Sequence, residues 1–466
     1  MVSVGEQVTD KVIDLNFQPE NPIKQVKKIK ILTISDHPLS PSGVGTQTKY
    51  FIDSLLRTGK FQFISVAGAV KHENYQPVKT EEWGDDWIIY PIDGYGNPDT
   101  IRSMLRSQRP DILWFMTDPR FYPWLWQMEN EIRALVPMVY YHVWDNYPYP
   151  KFNKVWYDST DIVVTISKLT SDIVKTVAPN VEEHCVPHTI PTKIFTKIPD
   201  DKVSAFRKDQ LGLEDDDFLI FWNNRNARRK QSGSLIFWFK EFVEKLKKKN
   251  PNIKTKLMMH TEPKDPNGQD LFAICNELDL VKDKDVLLST QKMPAEGVSM
   301  ICNAADVTIN IADAEGFGLS TFESLSCETP IIVTMTGGLQ EQVTPLQKIS
   351  EKEMLKRNLK AKSITEYEHG IGLEPSSKAI IGSQEVPFIY EDRVSEKQVV
   401  DALMKMYEYG PEKRNALGKA GRQYILENYG YEKFTKEWTD IMLEVHNKYG
   451  SWENRKNYDR WELKAV

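Results

Sequence analysis

Val307-Thr-Ile-Asn-Ile311 is followed by Glu315-Gly-Phe-Gly-Leu-Ser-Thr-Phe-Glu323, and that in turn by Pro330-Ile-Ile-Val-Thr-Met335 and Gly337-Gly338. The order predicts strand, glycine loop, helix, strand and glycine turn, a βαβ unit whose loop lies at the carboxyl end of a parallel strand. Ligands bind at such ends. The backbone N–H groups of Gly316, Phe317, Gly318 and Leu319, together with the start of the helix, suit a phosphate. Glu323 falls in the first turn or two of that helix, where its carboxylate can accept hydrogen bonds from a diol such as a ribose. Read physically, the segment asks for a phosphorylated, hydroxyl-rich ligand.

Outward from this unit the chain repeats the pattern. Toward the amino terminus a series of strands opens at Phe218-Leu-Ile-Phe-Trp222 and continues through 254–260 and 286–288 to the strands just quoted. An earlier series runs through 29–34, 61–67, 87–92, 112–116, 138–143 and 162–166. Residues 46–58 form an amphipathic helix with Phe51, Ile52, Leu55 and Leu56 on one side and Gly59 as its stop. Strands alternating with helices predict parallel α/β sheets. With 466 residues the chain exceeds one ordinary core, so two domains are expected. The Pro- and Lys-rich stretch 187–201 joins the two series. The expected division is 1–190, with 1–27 as an extension, then 191–430, then a helical segment 431–466 packing back on the first domain. Residues 347–368 read as a charged helical insertion, and Val386-Pro-Phe-Ile-Tyr390 as strand-like.

Composition narrows the class. No apolar run approaches the roughly 20 residues that a membrane-spanning helix needs. The opening stretch lacks the apolar segment of a signal peptide. Cys185, Cys275, Cys302 and Cys327 have no paired spacing, which favours reduced core thiols and a cytoplasmic setting over a metal site or disulfide frame. A net charge of −6 argues against a uniformly basic surface but leaves a local nucleic-acid groove open.

Three further constellations carry chemistry. Asn223-Asn-Arg-Asn-Ala-Arg-Arg-Lys230 follows the first strand of the second series directly. Fixed cations there suit a leaving diphosphate, Arg as a fork and Lys as a point charge; a solvated basic turn is the alternative. The loop Ser35-Asp-His-Pro-Leu-Ser-Pro-Ser-Gly43-Val-Gly45-Thr46 lacks the third glycine of a dinucleotide fingerprint. It either reaches toward the ligand or makes a tight strand–helix turn. Between Trp114 and Trp156 aromatic residues are dense, and those at strand ends are candidates to line a sugar or base. Tyr141-His142-Val-Trp144-Asp145 is such an end.

The Glu-(seven residues)-Glu pattern, with Gly-Phe-Gly-Leu inside it and Gly-Gly after the next strand, resembles the retaining nucleotide-sugar glycosyltransferases of family four. That resemblance covers most of the chain. It implies the α/β GT-B fold: two Rossmann-like domains facing across a cleft, the first for the acceptor and the second for the donor, with a C-terminal helix crossing back, for which Trp438 is a candidate packing residue. It implies that Arg225 and Lys230 bind the donor diphosphate, that Gly316, Phe317, Gly318 and Leu319 present N–H groups to it, and that Glu323 holds the ribose. By the same resemblance Glu315 holds the transferred sugar, Gly43 and Gly45 face the donor or acceptor, and His142 is placed like a histidine aimed at the sugar; a satisfied structural histidine is the alternative. Tyr141, Trp144 and Asp145 would line the acceptor side. No cofactor and no obligatory metal is implied beyond the sugar nucleotide as co-substrate. A looser resemblance to glycosyltransferases of large DNA phages implies a hydroxylated base in DNA as acceptor, in the host cytoplasm; a glycan, lipid or small-molecule acceptor is the alternative. A non-catalytic sugar-nucleotide or DNA-binding module is the reading from another class.

Overall fold

The computed structural model describes residues 27–291, 293–343 and 364–462. The expected extension 1–27, apart from Lys27, and positions 347–363 of the charged insertion lie outside them.

Eight strands build the first sheet: β1 (Ile29–Asp36), β2 (Phe61–Gly68), β3 (Val78–Lys79), β4 (Trp87–Pro91), β5 (Ile112–Met116), β6 (Met138–His142), β7 (Ile162–Thr165) and β8 (Glu182–Cys185). Their order is β3-β4-β2-β1-β5-β6-β7-β8, and every pair is parallel except β3 with β4. The second sheet holds β9 (Phe218–Asn223), β10 (Thr255–His260), β11 (Val286–Ser289), β12 (Val307–Asn310), β13 (Ile331–Thr334), β14 (Ile364–Tyr367) and β15 (Gly370–Leu373). Here the order is β11-β10-β9-β12-β13-β15-β14, antiparallel only at β14 with β15. The end of the expected helical insertion is therefore strand β14. A separate antiparallel ribbon is made of β16 (Ser377–Ile381) and β17 (Ile389–Arg393).

Both faces of each sheet are covered, which is why the parallel strands read as near-continuous apolar runs. Side chains of β6 show the alternation: Tyr140 and His142 face one cluster, while Tyr141 faces the other beside Trp114 and Trp438. Trp438 lies on the helix Tyr431–Tyr449, fully buried against Phe51, Trp114 and Tyr141. That apolar cluster runs on into the second domain through Ile166, Phe317 and Tyr429, so the domains share a packed seam.

The helix expected over 46–58 begins earlier, at Gly43, and ends at Leu56. Ser42 caps it by accepting from Gly45 N at 2.9 Å, and its own hydroxyl donates to Asp36 at 2.6 Å. Gly43 and Gly45 thus sit in the first helical turn. A Cβ at Gly45 would lie 2.6 Å from the His37 carbonyl oxygen, so the turn closes only around glycine.

Candidate active site

Three loops leave the carboxyl ends of β9, β12 and β13 and meet. The loop after β9 ends in a single helical turn over Arg228–Lys230. The Lys230 ammonium, 8% exposed, is in contact with the Glu315 carboxylate from the loop after β12. Asp313 N donates to Arg229 O at 2.8 Å, and the Arg229 guanidinium donates to Ala314 O, so these two loops are joined by backbone as well as by charge. The loop after β13 closes the set. At Gly337, with φ +49°, a Cβ would lie 1.9 Å from the Glu315 carbonyl oxygen. Gly338 N donates to that same oxygen at 3.0 Å. The Gly-Gly pair is needed because two backbones touch there.

Gly318 turns the chain into the helix Leu319–Ser326 with φ +87°, a left-handed conformation that favours glycine. No side chain caps this helix. Its first N–H groups have no partner within the helix, so its positive end is open to an anion. Gln342 braces the turn, donating to Phe317 O (2.6 Å) and Gly318 O (2.9 Å) and accepting from Thr321 Oγ1 (2.7 Å). No pattern in the sequence marks Gln342. Phe317 turns inward against His188, Phe322 and Tyr429, so only its backbone is offered to the loop. Leu319 packs against the core seam, and Gly43 of the first domain comes to it: a Cβ there would be 3.5 Å from Leu319 Cδ1.

Glu323 sits half-buried further along this helix, facing Tyr50 of the first domain, whose hydroxyl it helps to push above the usual range after burial. Burial raises the Glu323 carboxyl to about 8. From the first domain Asp145 completes the wall. Its carboxylate lies 3.8 Å from a Cβ built on Gly316. Burial raises it to about 6, while Arg229 and Lys230 pull it down. Burial pushes the Lys230 ammonium well below the ordinary lysine range and Arg229 adds to this, with Asp145 opposing. The site is an enclosed ring of charge, cation against carboxylate, beside an open helix terminus.

Several expected site residues stand elsewhere. The Arg225 side chain is 63% exposed and forked onto Asp265, at 2.6 and 3.1 Å, away from the Lys230–Glu315 pair. His142 is buried in the first domain, bonded to the Tyr157 hydroxyl at 2.7 Å and the Tyr140 hydroxyl at 3.1 Å. Burial lowers it to about 3, so it is a neutral core residue and not a cleft histidine. Tyr141 is also core: its hydroxyl contacts Val186 O and His188 Nδ1, each at 2.8 Å. Trp144 is 5% exposed and packs on Phe152. Of the four residues proposed at this strand end, only Asp145 reaches the site. Glu341, three residues beyond the glycine pair, accepts from Lys168 N (3.2 Å) and Leu169 N (3.0 Å) across the domain seam.

Four polar side-chain atoms near the carboxyl ends of β9, β10, β12 and β13 are buried without a partner: Asn224 Nδ2, Thr261 Oγ1, Asn310 Nδ2 and Thr334 Oγ1. Such atoms are costly unless something pairs with them. Among the described residues no group of three or more His, Cys, Asp or Glu is arranged to hold a metal ion. Nor is any helix among them long and apolar enough to cross a membrane.

Residues 205–367 match the family model described as glycosyl transferases group 1. No characterised protein sequence matches the chain. Solved structures do. A sucrose-phosphate synthase from Thermosynechococcus elongatus superposes with a TM-score of 0.66 at 15% identity, covering 90% of this chain and 100% of that one. HepE of Anabaena, in complex with UDP and glucose, gives 0.61 at 11%, covering 89% and 100%. The catalytic domain of starch synthase IV from Arabidopsis thaliana, bound to ADP and acarbose, gives 0.59 at 12%, covering 90% and 99%. The fold is that of the GT-B enzymes, and the stretch matched by the group 1 glycosyl transferase model lies within the second sheet's half of the chain.

Proposed function

We propose that this glycosyltransferase moves a sugar from a nucleoside-diphosphate donor to a hydroxyl acceptor with retention of anomeric configuration. The observation that carries the reading is the convergence of the Lys230 ammonium, the Glu315 carboxylate and the uncapped helix start at Gly318. The diphosphate lies on the helix start and against the Lys230 ammonium. Arg229, beside Lys230, adds to the positive field, so the chain's own cations stabilise the leaving charge in a dry site. Glu315 holds hydroxyls of the transferred sugar and Glu323 those of the ribose. Asp145 closes on the sugar from the first domain.

In the reaction the bond from the anomeric carbon to the diphosphate oxygen breaks and the acceptor oxygen bonds to the same face. The acceptor proton passes to the departing phosphate oxygen, so no protein base is required. A glycosidase role for Glu315 and Glu323 is disfavoured: Glu315 is engaged by Lys230, so it is not a free partner in a carboxylate pair flanking one bond. UDP in HepE and ADP in starch synthase IV support a nucleoside diphosphate as the donor's leaving group. The test is turnover on a panel of uridine, adenosine, guanosine and cytidine diphosphate sugars, scored for nucleotide release. Each is run alone, with small hydroxyl acceptors, and with DNA containing hydroxymethylated bases. Release by one donor, stimulated by an acceptor, is the expected result; no release from any donor overturns the reading. Stimulation by the modified DNA alone assigns a DNA base as acceptor.

A further inference from the structure

The ribbon β16–β17 belongs to the second domain by connection but grips the first. Tyr390 N donates to Tyr147 O at 2.7 Å, forming a single antiparallel bridge with β17, and the Asn146 side chain donates through Nδ2 to Tyr390 O at 3.4 Å. The buried Tyr147 hydroxyl donates to the Asp392 carboxylate, and the Lys378 ammonium lies 4.7 Å from the Tyr147 ring centroid. At its root the ribbon is fastened to the donor loops. Asp392 N donates to Asp313 O at 2.9 Å. Arg228 donates to both oxygens of Glu391, at 3.0 and 2.6 Å. One ribbon therefore ties together the loop carrying Lys230, the loop carrying Glu315, and the first-domain segment that carries Asp145 two residues before Tyr147.

Domains joined by an ordinary seam move relative to each other by default. A strap of hydrogen bonds opposes that motion at one place, and here the place is the segment holding Asp145, whose carboxylate lies 3.8 Å from a Cβ built on Gly316 of the donor loop. Resting on the glycosyl-transfer reading, we propose that Tyr147 and Asp392 are positioning residues: through the ribbon they hold Asp145 against the sugar end of the donor site. Neither touches the reacting atoms. Their effect is geometric, and misplacement of a reacting group by about 1 Å costs up to about 100-fold in rate.

Tyr147→Phe removes one hydroxyl and keeps the ring and the backbone bridge; Asp392→Ala removes its acceptor; Asp392→Asn keeps a carbonyl oxygen that can accept the same bond. The first two should lower kcat about tenfold or more while leaving the calorimetric Kd for the nucleoside diphosphate within about twofold. Asp392→Asn should restore most of the loss. In an Asp145→Asn background, Tyr147→Phe should cost less than about twofold more, because both act through one group. Additive losses, an unchanged kcat in Tyr147→Phe, or equal damage by Asn and Ala at 392 would overturn the positioning role. Amide hydrogen exchange at 145–149 and 388–392 reports the strap without any turnover. Both segments should speed up together in Tyr147→Phe, and no change in either also overturns the proposal. If the wild type binds no nucleoside diphosphate while exchange behaves as expected, the donor reading fails and the strap stands.

Discussion

The carboxyl ends of the two sheets are built to opposite plans. In the second sheet, three loops and a helix start crowd backbone, cation and carboxylate into one enclosed place, and glycines are present where main chains touch. In the first sheet the strand ends are plugged by aromatic side chains: Tyr141, His142 and Trp144 turn into the core, while Asp145 faces the donor loop. The first domain's loops near these ends expose large side chains, Leu39, Tyr75 and Phe121 each 45–48% exposed, among charged and polar ones such as Lys71, Glu73 and Arg120. A preorganised polar site on one side and a firm scaffold with adaptable loops on the other is the division expected when one ligand class is fixed and the second is chosen by the loops.

That contrast can be broken, beginning with the largest effect. Lys230→Ala should lower turnover about 100-fold, as for loss of one transition-state charge contact, with the fold intact by circular dichroism. A loss smaller than about threefold would place the diphosphate elsewhere. Glu323→Gln should raise the donor KM by up to about tenfold, the scale of one neutral hydrogen bond, with kcat nearly unchanged.

The same variant carries a pH signature. Burial holds the folded Glu323 carboxyl at about 8, above its usual 4.5. The folded protein therefore keeps this proton longer than the unfolded chain, and the residue's contribution to stability falls as pH rises from 4.5 to about 8. The Tm of Glu323→Gln minus that of wild type should grow over this window and then level off. An equal difference at pH 5.5 and pH 8.5 would contradict the burial.

On the first-domain side, His142→Phe should take one hydrogen bond from each of two buried tyrosine hydroxyls and destabilise the fold by about 1–3 kcal/mol. Its kcat should stay within a few-fold of wild type, measured below the lowered Tm. A catalytic histidine would lose turnover with its stability preserved. The smallest effect is assigned to Arg225→Ala: an exposed pair with Asp265 is worth at most about 1 kcal/mol, so turnover should change by less than about fivefold. A 100-fold loss would mean that Arg225 leaves Asp265 to meet the donor.

How much of this could be read from residues alone follows from the same contrast. The buried parallel strands were legible because a short apolar-rich run between polar residues has few other meanings, and β5 and β12 lie where that pattern puts them. Strand β8, Glu182-Glu-His-Cys185, and the glycine-spaced β15 escaped because they lack an apolar run. The meeting of Lys230 and Glu315 was within reach because each follows a strand end, β9 and β12, closely in sequence. His142 and Tyr141 were misjudged for a physical reason: when helices cover both faces of a strand, alternation no longer distinguishes core from cleft. Gln342, Glu341 and the Tyr147–Asp392 bond depend on contacts between distant segments, which no local pattern records.

The central claim is that Lys230, Glu315 and the helix start at Gly318 form one anion site for a nucleoside diphosphate. Isothermal titration of wild type and Lys230→Ala with UDP, ADP, GDP and CDP tests it most directly. At least one of the four should bind the wild type and bind the variant about tenfold or more weakly, one charge-assisted contact being worth about 1.5–3 kcal/mol. Equal affinity in the two proteins, or no affinity of the wild type for any of the four, would contradict it.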